Sequence, residues 1–437
     1  MSNELISILI LVAVFAVATV LPINMGVLGL VAAFGVGTAM GVSEDDIFAG
    51  FPGDLFIILV GITYLFAIAS NNGTVNWLVH GAVRAVGGRT VAIPWVMFLV
   101  TAALTASGAV VPGAVAIVAP IALGFAITYG INPVLMGLLV VNGASAGGFS
   151  PISVFGSIVN GVTERNNLDE NAMLLFLSSF VFNLGLSVVV FMLFGGRDLL
   201  RKRVATGEGS GRFERSEQRE QAPIAGGSAA AVSAEEMPSL ERDKVLTLIG
   251  IVTLIVVALA FDVDVGFVAL SIAAVLSLIM PAASRDAVNK IAWPTVLLIC
   301  GVVTYVSLLE TLGSIDWLGE QVAQIGSALL AALLICYVGG AVSAFASTTG
   351  ILGALIPLAV PFLQTGAVGA VGLIIALSIS ASVVDSSPFS TSGALVVANS
   401  PAEKRDFVFK RLMQWGMSMV LIAPPIAWLV FVVPGWL

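Results

Sequence analysis

Four short stretches of this sequence combine hydroxyl side chains with glycine, alanine or proline inside segments that are otherwise apolar. They are TASGA (105–109), GGFSPIS (147–153), ASTTG (346–350) and Asp-Ser-Ser-Pro-Phe-Ser (385–390). Hydroxyls, free peptide carbonyls and one carboxylate, that of Asp385, are hard oxygen donors suited to Na⁺. Helix N-termini opened by a chain break suit an anion. Pro151 and Pro388 lack an N–H and interrupt a helix. Small polar residues also permit close helix packing, and an isolated serine in this chain reads that way. Clusters that recur in pairs read as a binding site. ASAGGFSPISVFG (Ala144–Gly156) aligns with the segment Ala381–Gly393 at an offset of 237, with six of thirteen positions identical: Ala144, Ser145, Ser150, Pro151, Ser153 and Gly156 fall on Ala381, Ser382, Ser387, Pro388, Ser390 and Gly393. Chance would give about one or two.

Asp385 is the one acid deep in a polar break. A carboxylate at the centre of a membrane span costs roughly 2.5–3.5 kcal/mol on insertion scales and is a functional candidate by default. It is expected to hold Na⁺ or to titrate; the alternative is that it caps the half-helix that follows. All 18 Lys and Arg residues lie in or beside loops. An anionic substrate would therefore need helix N-termini, hydroxyls and bound cations for compensation, which favours cation coupling. His80, the single histidine, sits in a short amphipathic stretch and reads as a surface residue. Cys300 and Cys336 lie in apolar segments and read as packing residues. No nucleophile–base or metal-ligand constellation is present, so an enzyme is not expected.

The elements that must position these breaks are membrane spans. The chain has 437 residues, 10% of them charged, and a mean hydropathy of +1.07. Apolar runs long enough to cross a bilayer recur throughout. Nucleic-acid binding has no support. The first run, Leu5–Leu21, lacks a basic region before it and reads as a retained span, not a leader. Two halves are expected. At an offset of 240, Gly26 falls on Gly266, Gly61 on Gly301, Gly73 on Gly313, Trp77 on Trp317 and Ser107 on Ser347. The first half, 1–196, carries spans at 4–22, 24–42 and 54–70. An amphipathic connection follows at 72–90, then broken stretches at 92–128 and 132–161, and a last span at 171–195. The second half, 244–437, repeats this at 244–261, 264–281, 294–310, 328–363, 369–398 and 411–434. Between them, 197–243 is charged and rich in Gly, Ser and Ala, and reads as a flexible linker.

If 92–128 and 328–363 are re-entrant hairpins, each half crosses the membrane five times and the halves are inverted. Placing the linker in the cytoplasm then puts every Lys and Arg except Arg165 inside, as the positive-inside rule requires. Both termini fall outside, and SEDD at 43–46 lies on the outer face. The membrane is expected to be the cell (inner) membrane.

With these motifs the chain resembles the divalent anion/sodium symporters of the ion transporter superfamily. VNGASAGGFSPISVFG (141–156) together with the run from Ser382 to Asn399 is most similar to the MatC-type dicarboxylate (malonate) carriers. The resemblance implies an all-α elevator transporter. The first spans of each half would form the scaffold of a homodimer, and the hairpins and broken spans would form a moving transport domain. It implies Na⁺-coupled uptake of a small dicarboxylate, with Na⁺/H⁺ antiport through Asp385 as the alternative, and no organic cofactor. In the symporters each hairpin tip carries Ser-Asn-Thr, whose Asn and Thr contact substrate carboxylate while the Ser and nearby carbonyls contact Na⁺. Ser347-Thr348-Thr349 matches the second motif with Thr in place of Asn. Ser107-Gly108-Ala109 stands at the first and lacks both the Asn and the Thr. The implied substrate contacts are these six residues with Ser150, Pro151, Ser387 and Pro388. The implied Na⁺ ligands are Ser107 and Gly147 in the first half, and Ser343, Ala346, Thr348, Asp385 and Ser386 in the second.

Overall fold

The computed structural model describes residues 3–435 except 22, 86–88, 167, 170, 197, 198, 200–240, 262, 316, 318–326, 345–347 and 365. The expected linker therefore lies almost wholly outside the described residues. Among those described, all regular structure is helical. The first half contains α1 (Asn3–Val20), α2 (Met25–Ala39), α3 (Glu44–Ala49), α4 (Gly53–Asn71), α5 (Thr74–Ala85), α6 (Ile93–Ala106), α7 (Val111–Thr128), α8 (Pro133–Gly147), α9 (Val154–Arg165) and α10 (Ala172–Leu193). The second contains α11 (Arg242–Ala260), α12 (Val265–Ile279), α13 (Pro281–Ser284), α14 (Trp293–Thr311), α15 (Ala328–Ser343), α16 (Thr348–Gln364), α17 (Ala370–Val383), α18 (Thr391–Ala398) and α19 (Arg405–Phe431). The structure adds the short α3, in a stretch where no element is expected; Ser43 caps it by accepting from the Asp46 N–H at 3.2 Å. The last helix begins before the expected 411, so Arg405, Lys410 and Arg411 lie on its first turns.

The repeat is visible in equivalent local geometry. Gly73 and Gly313 both follow a long helix in the left-handed region, at φ +75° and +67°, and each carbonyl accepts from the matching tryptophan N–H, at 3.0 and 3.1 Å. The two halves also interlock. Gly26 on α2 and Gly301 on α14 meet backbone to backbone: a Cβ on Gly301 would lie 1.9 Å from the Gly26 carbonyl oxygen. The repeat-related pair, Gly266 on α12 and Gly61 on α4, does the same, at 2.5 Å from Gly61 to the Gly266 oxygen. Glycines allow this close approach of helix backbones. The broken segments follow the same exchange, with α7 packed on α18 and α16 on α9. Among the described residues two hydrophobic clusters form the core, and each draws on both halves.

The stretches 93–128 and 328–364 are helical hairpins. Helix α6 has 14 residues, about 21 Å at 1.5 Å per residue, too short for a bilayer core of about 30 Å. Its turn at Gly108, φ +115°, abuts Ile62, at the middle of α4. The hairpin tip thus ends half-way along a full-length span.

Four basic residues collect at the C-terminal end of α4. Asn71 and Asn72, at the C-terminal end of α4, bond Ala283, Arg285, Asp243 and Thr247, drawing the starts of α11 and α14 with Arg242, Lys244, Arg285 and Lys290 to that end. Arg165, the exception to the expected charge bias, forms an ion pair with Asp54 at the opposite end of α4. Its charge is compensated locally.

Candidate functional site

Each break is built by a serine that closes the interrupted helix onto the next. Ser153 precedes α9 and Ser390 precedes α18; each hydroxyl accepts from the N–H three residues on, Gly156 and Gly393, at 3.3 Å in both cases. Each also donates backward, Ser153 to the carbonyls of Gly148 and Ser150, Ser390 to those of Asp385 and Ser387. The glycines are required: a Cβ at Gly156 or Gly393 would lie 1.9 or 2.0 Å from the Ser150 or Ser387 oxygen. The sequence match at offset 237 is therefore a match of one hydrogen-bonded device. These caps also decide the alternative for Asp385, because Ser390, not Asp385, caps α18.

The hairpin tips lie against these breaks. Ser150 donates its hydroxyl to the Ala106 carbonyl at the first tip. At the second tip the hydroxyls of Ser343 and Thr348 are 2.9 Å apart, and Thr348 reaches toward the Ala381 carbonyl at 3.5 Å. Asp385 is buried beside them, approached by the hydroxyls of Ser392, at 3.5 Å, and Thr348. Among the described residues no cationic side chain pairs with it. Ser343, Thr348, Ser392, the Ala381 carbonyl and the Asp385 carboxylate form an oxygen-only cluster suited to a small hard cation. No group of three or more His, Cys, Asp or Glu side chains is found among the described residues. Among the described residues the first half shows no equivalent cluster at Gly148. A Cβ at Gly148, the counterpart of Asp385, would lie 2.9 Å from Val111 Cγ2 and 3.2 Å from Phe155 Cδ2. That space is filled by these apolar side chains and by the Ala144 carbonyl oxygen, at 3.1 Å.

A cavity of about 530 Å³ lies between the two sets of elements. One wall comes from α4 and the start of α14, with Asn24, Thr63, Phe66, Thr295 and Leu298. The other comes from the hairpins and α18, with Ala109, Val110, Gly113, Thr349 and Thr391. The first turns of α7, α16 and α18 therefore face it, and a helix N-terminus favours negative charge. The volume suits a small ligand.

Of the expected substrate contacts, Ala109 and Thr349 line this cavity. Ser107 and Gly108 form the adjacent turn, where the Ser107 hydroxyl donates to the carbonyls of Ala103 and Leu104 in its own helix. Ser150, Pro151, Ser387 and Pro388 sit behind, in the breaks; Ser387 is fully buried against Gly416. Of the expected Na⁺ ligands, Ser343, Thr348 and Asp385 come together. Ser386 is buried, its hydroxyl donating to the Val383 carbonyl. Gly147 is a packing position: its missing side chain lets α6 approach, with Ala102 O only 2.0 Å from where a Cβ would be, and its carbonyl accepts from the Ser150 N–H. Ala346 and Ser347 lie outside the described residues. Thr63, Thr391, Ser392 and Lys290 belong to the site without being expected from sequence. Thr391 and Ser392 were legible as part of FSTSG, directly after the cap. Thr63 and Lys290 carry no local signal.

Residues 1–148 match the family model described as dicarboxylate carrier protein MatC N-terminus, and residues 262–435 match the model described as citrate transporter. Among solved structures, the Alcanivorax borkumensis YdaH transporter, described as having an unusual topology, superposes with a TM-score of 0.59 at 12% identity, covering 89% of this chain and 88% of that one. No curated protein sequence matches significantly. The superposition shows the fold, and the two family models, each over less than half of the chain, make it similar to multi-pass membrane carriers of dicarboxylates and citrate. Within that class, the likeness over the N-terminal 148 residues is to MatC-type dicarboxylate carriers.

Proposed function

We propose that this protein is a secondary active transporter that takes up a small dicarboxylate, malonate or a C4 dicarboxylate, coupled to Na⁺. The observation that carries the reading is the position of the cavity. It lies between two groups of helices, is faced by the first turns of α7, α14, α16 and α18, and is backed by a buried carboxylate with no cationic partner among the described residues. An anion in such a cavity is stabilised by peptide dipoles and by a cation held at Asp385, Thr348 and Ser343. Without that cation, Asp385 would repel a substrate carboxylate, so cation binding and substrate binding reinforce each other.

In this reading the hairpins and broken helices move as a unit against the helices joined through the glycine crossings, in an elevator-type motion, and two copies associate through the latter. The protein resides in the inner membrane with the 197–243 linker in the cytoplasm and both termini outside. Residues 1–196 and 244–437 are the two repeats. Counterflow of labelled malonate and succinate in proteoliposomes, with and without a Na⁺ gradient, tests it. Transport of either that rises with the gradient is expected; no transport of any dicarboxylate overturns the reading.

A second reading, Na⁺/H⁺ antiport through Asp385, is favoured by the single observation that this carboxylate is buried without a counter-charge among the described residues. It requires Na⁺-driven proton movement in the absence of any organic anion, measured with a trapped pH dye.

A further inference from the structure

Among the described residues one fixed cation reaches the cavity, and nothing in the residues around it in sequence marks it out. Lys290 ends the short turn Val288–Lys290 that leads into α14, and it lines the cavity together with Ala292, Thr349 and Ala109. Its Nζ donates to Asn71 Oδ1. The Asn71 amide nitrogen is committed to the carbonyls of Ala283 and Arg285, at 2.9 and 3.3 Å, so the amide oxygen is left facing the lysine. That partner is neutral. Among the described residues the ion pairs are Arg165–Asp54 and Lys244–Glu241, and neither involves Lys290. An exposed ammonium on a flexible stem, with no ion-pair partner among the described residues, stands on the rim of a cavity whose other polar side chains are hydroxyls and the Asn24 amide.

We propose that Lys290 is a carboxylate-binding residue of the transport pathway, engaging the substrate dianion on the side of the membrane to which this cavity leads. The inference rests on the dicarboxylate reading above. Lys290 belongs to the α4–α14 wall, whereas the hairpin tips form the opposite wall. Its contact with substrate is therefore made in one orientation of the transporter and lost in the other. The repeat makes the asymmetry explicit. At the offset of 240 that relates the two crossings, Lys290 corresponds to Gly50, which follows the acidic helix Glu44–Ala49. The equivalent position on the opposite side carries no cation and follows Glu44, Asp45 and Asp46. The two positions thus present different charge to an incoming dianion. Attraction at the Lys290 face raises local substrate concentration and is weakened by salt.

The test is malonate counterflow by the full chain in neutral-lipid proteoliposomes, for wild type, Lys290→Arg, Lys290→Gln and Lys290→Glu, at low and high choline chloride. Orientation is resolved by entry from the Lys290 face or the opposite face. The expected result is a KM about fivefold higher for Lys290→Gln on the Lys290 face, higher still for Lys290→Glu, and restored by Lys290→Arg. KM on the opposite face and kcat stay within twofold. The wild-type KM on the Lys290 face rises with salt, and that dependence disappears in Lys290→Gln, which a merely structural role would not produce. Wild-type transport with a KM that is the same in Lys290→Gln and Lys290→Glu overturns this inference and leaves the dicarboxylate reading standing. A wild type that carries no dicarboxylate overturns both.

Discussion

Asp385 and Gly148 occupy the same place in the two repeats, yet only one can carry a charge. Gly148 is closed in by Val111 and Phe155, whereas Asp385 faces the hydroxyls of Ser392 and Thr348. The cation chemistry proposed for this protein therefore belongs to the second half. Asp385→Asn keeps the shape and removes the charge. It is expected to abolish the Na⁺ dependence of malonate counterflow while leaving the protein folded, as judged by its melting temperature. Thr349 is the hydroxyl of the second tip that lines the cavity. Losing one hydrogen bond to a charged group costs about 1.5–3 kcal/mol. Thr349→Val, nearly isosteric, is therefore expected to raise the malonate KM by at least about tenfold; an unchanged KM would place the carboxylate elsewhere in the cavity.

At the scale of the element, the breaks are specified by local chemistry. Ser153 and Ser390 make the same pair of backward hydrogen bonds and the same forward cap. Removing an N-cap hydroxyl costs about 1 kcal/mol. Ser153→Ala and Ser390→Ala are expected to destabilise by similar amounts in thermal unfolding, because the geometry lost is the same. The hairpins depend on a different feature. Helix α6 reaches its turn after 14 residues, and Gly108 supplies a backbone conformation that a side chain would strain. In α8, Gly143 and Gly147 lie one turn apart, and carbonyls of α6 approach both, at 2.3 Å from Phe98 and 2.0 Å from Ala102 to the position of a Cβ. The glycine that the family resemblance suggested as an ion ligand is occupied in packing the hairpin.

Across the whole molecule, the two halves are held together by exchange, not by stacking as separate lobes. Gly26 with Gly301 and Gly61 with Gly266 form two equivalent crossings between halves. A methyl at either crossing must push helix backbones apart, and overpacking of this kind costs about 1–3 kcal/mol. Gly26→Ala and Gly266→Ala are expected to lower the melting temperature comparably. A large effect at one position and none at the other would break the equivalence. The cavity is itself a product of this scale, since its walls come from α2, α4, α7, α14, α16 and α18, spread over more than 350 residues of chain.

The sequence alone determined whatever depends on composition and short range. Apolar runs required a membrane, and the recurring glycines, tryptophans and serine–proline breaks required a repeat. Charge placement gave an expected sidedness, and Ser390 was present to cap its helix whatever surrounded it. Tertiary structure decided which of these residues meet. A serine in a break has the same local signature whether its hydroxyl faces a cavity, caps a helix or, like Ser107, bonds its own preceding turn. Lys290 reads as an ordinary loop lysine until Asn71, some 219 positions away, brings it to the cavity. Such contacts are set by helix packing between the halves, and packing depends on the fit of whole surfaces, not on any one stretch of chain.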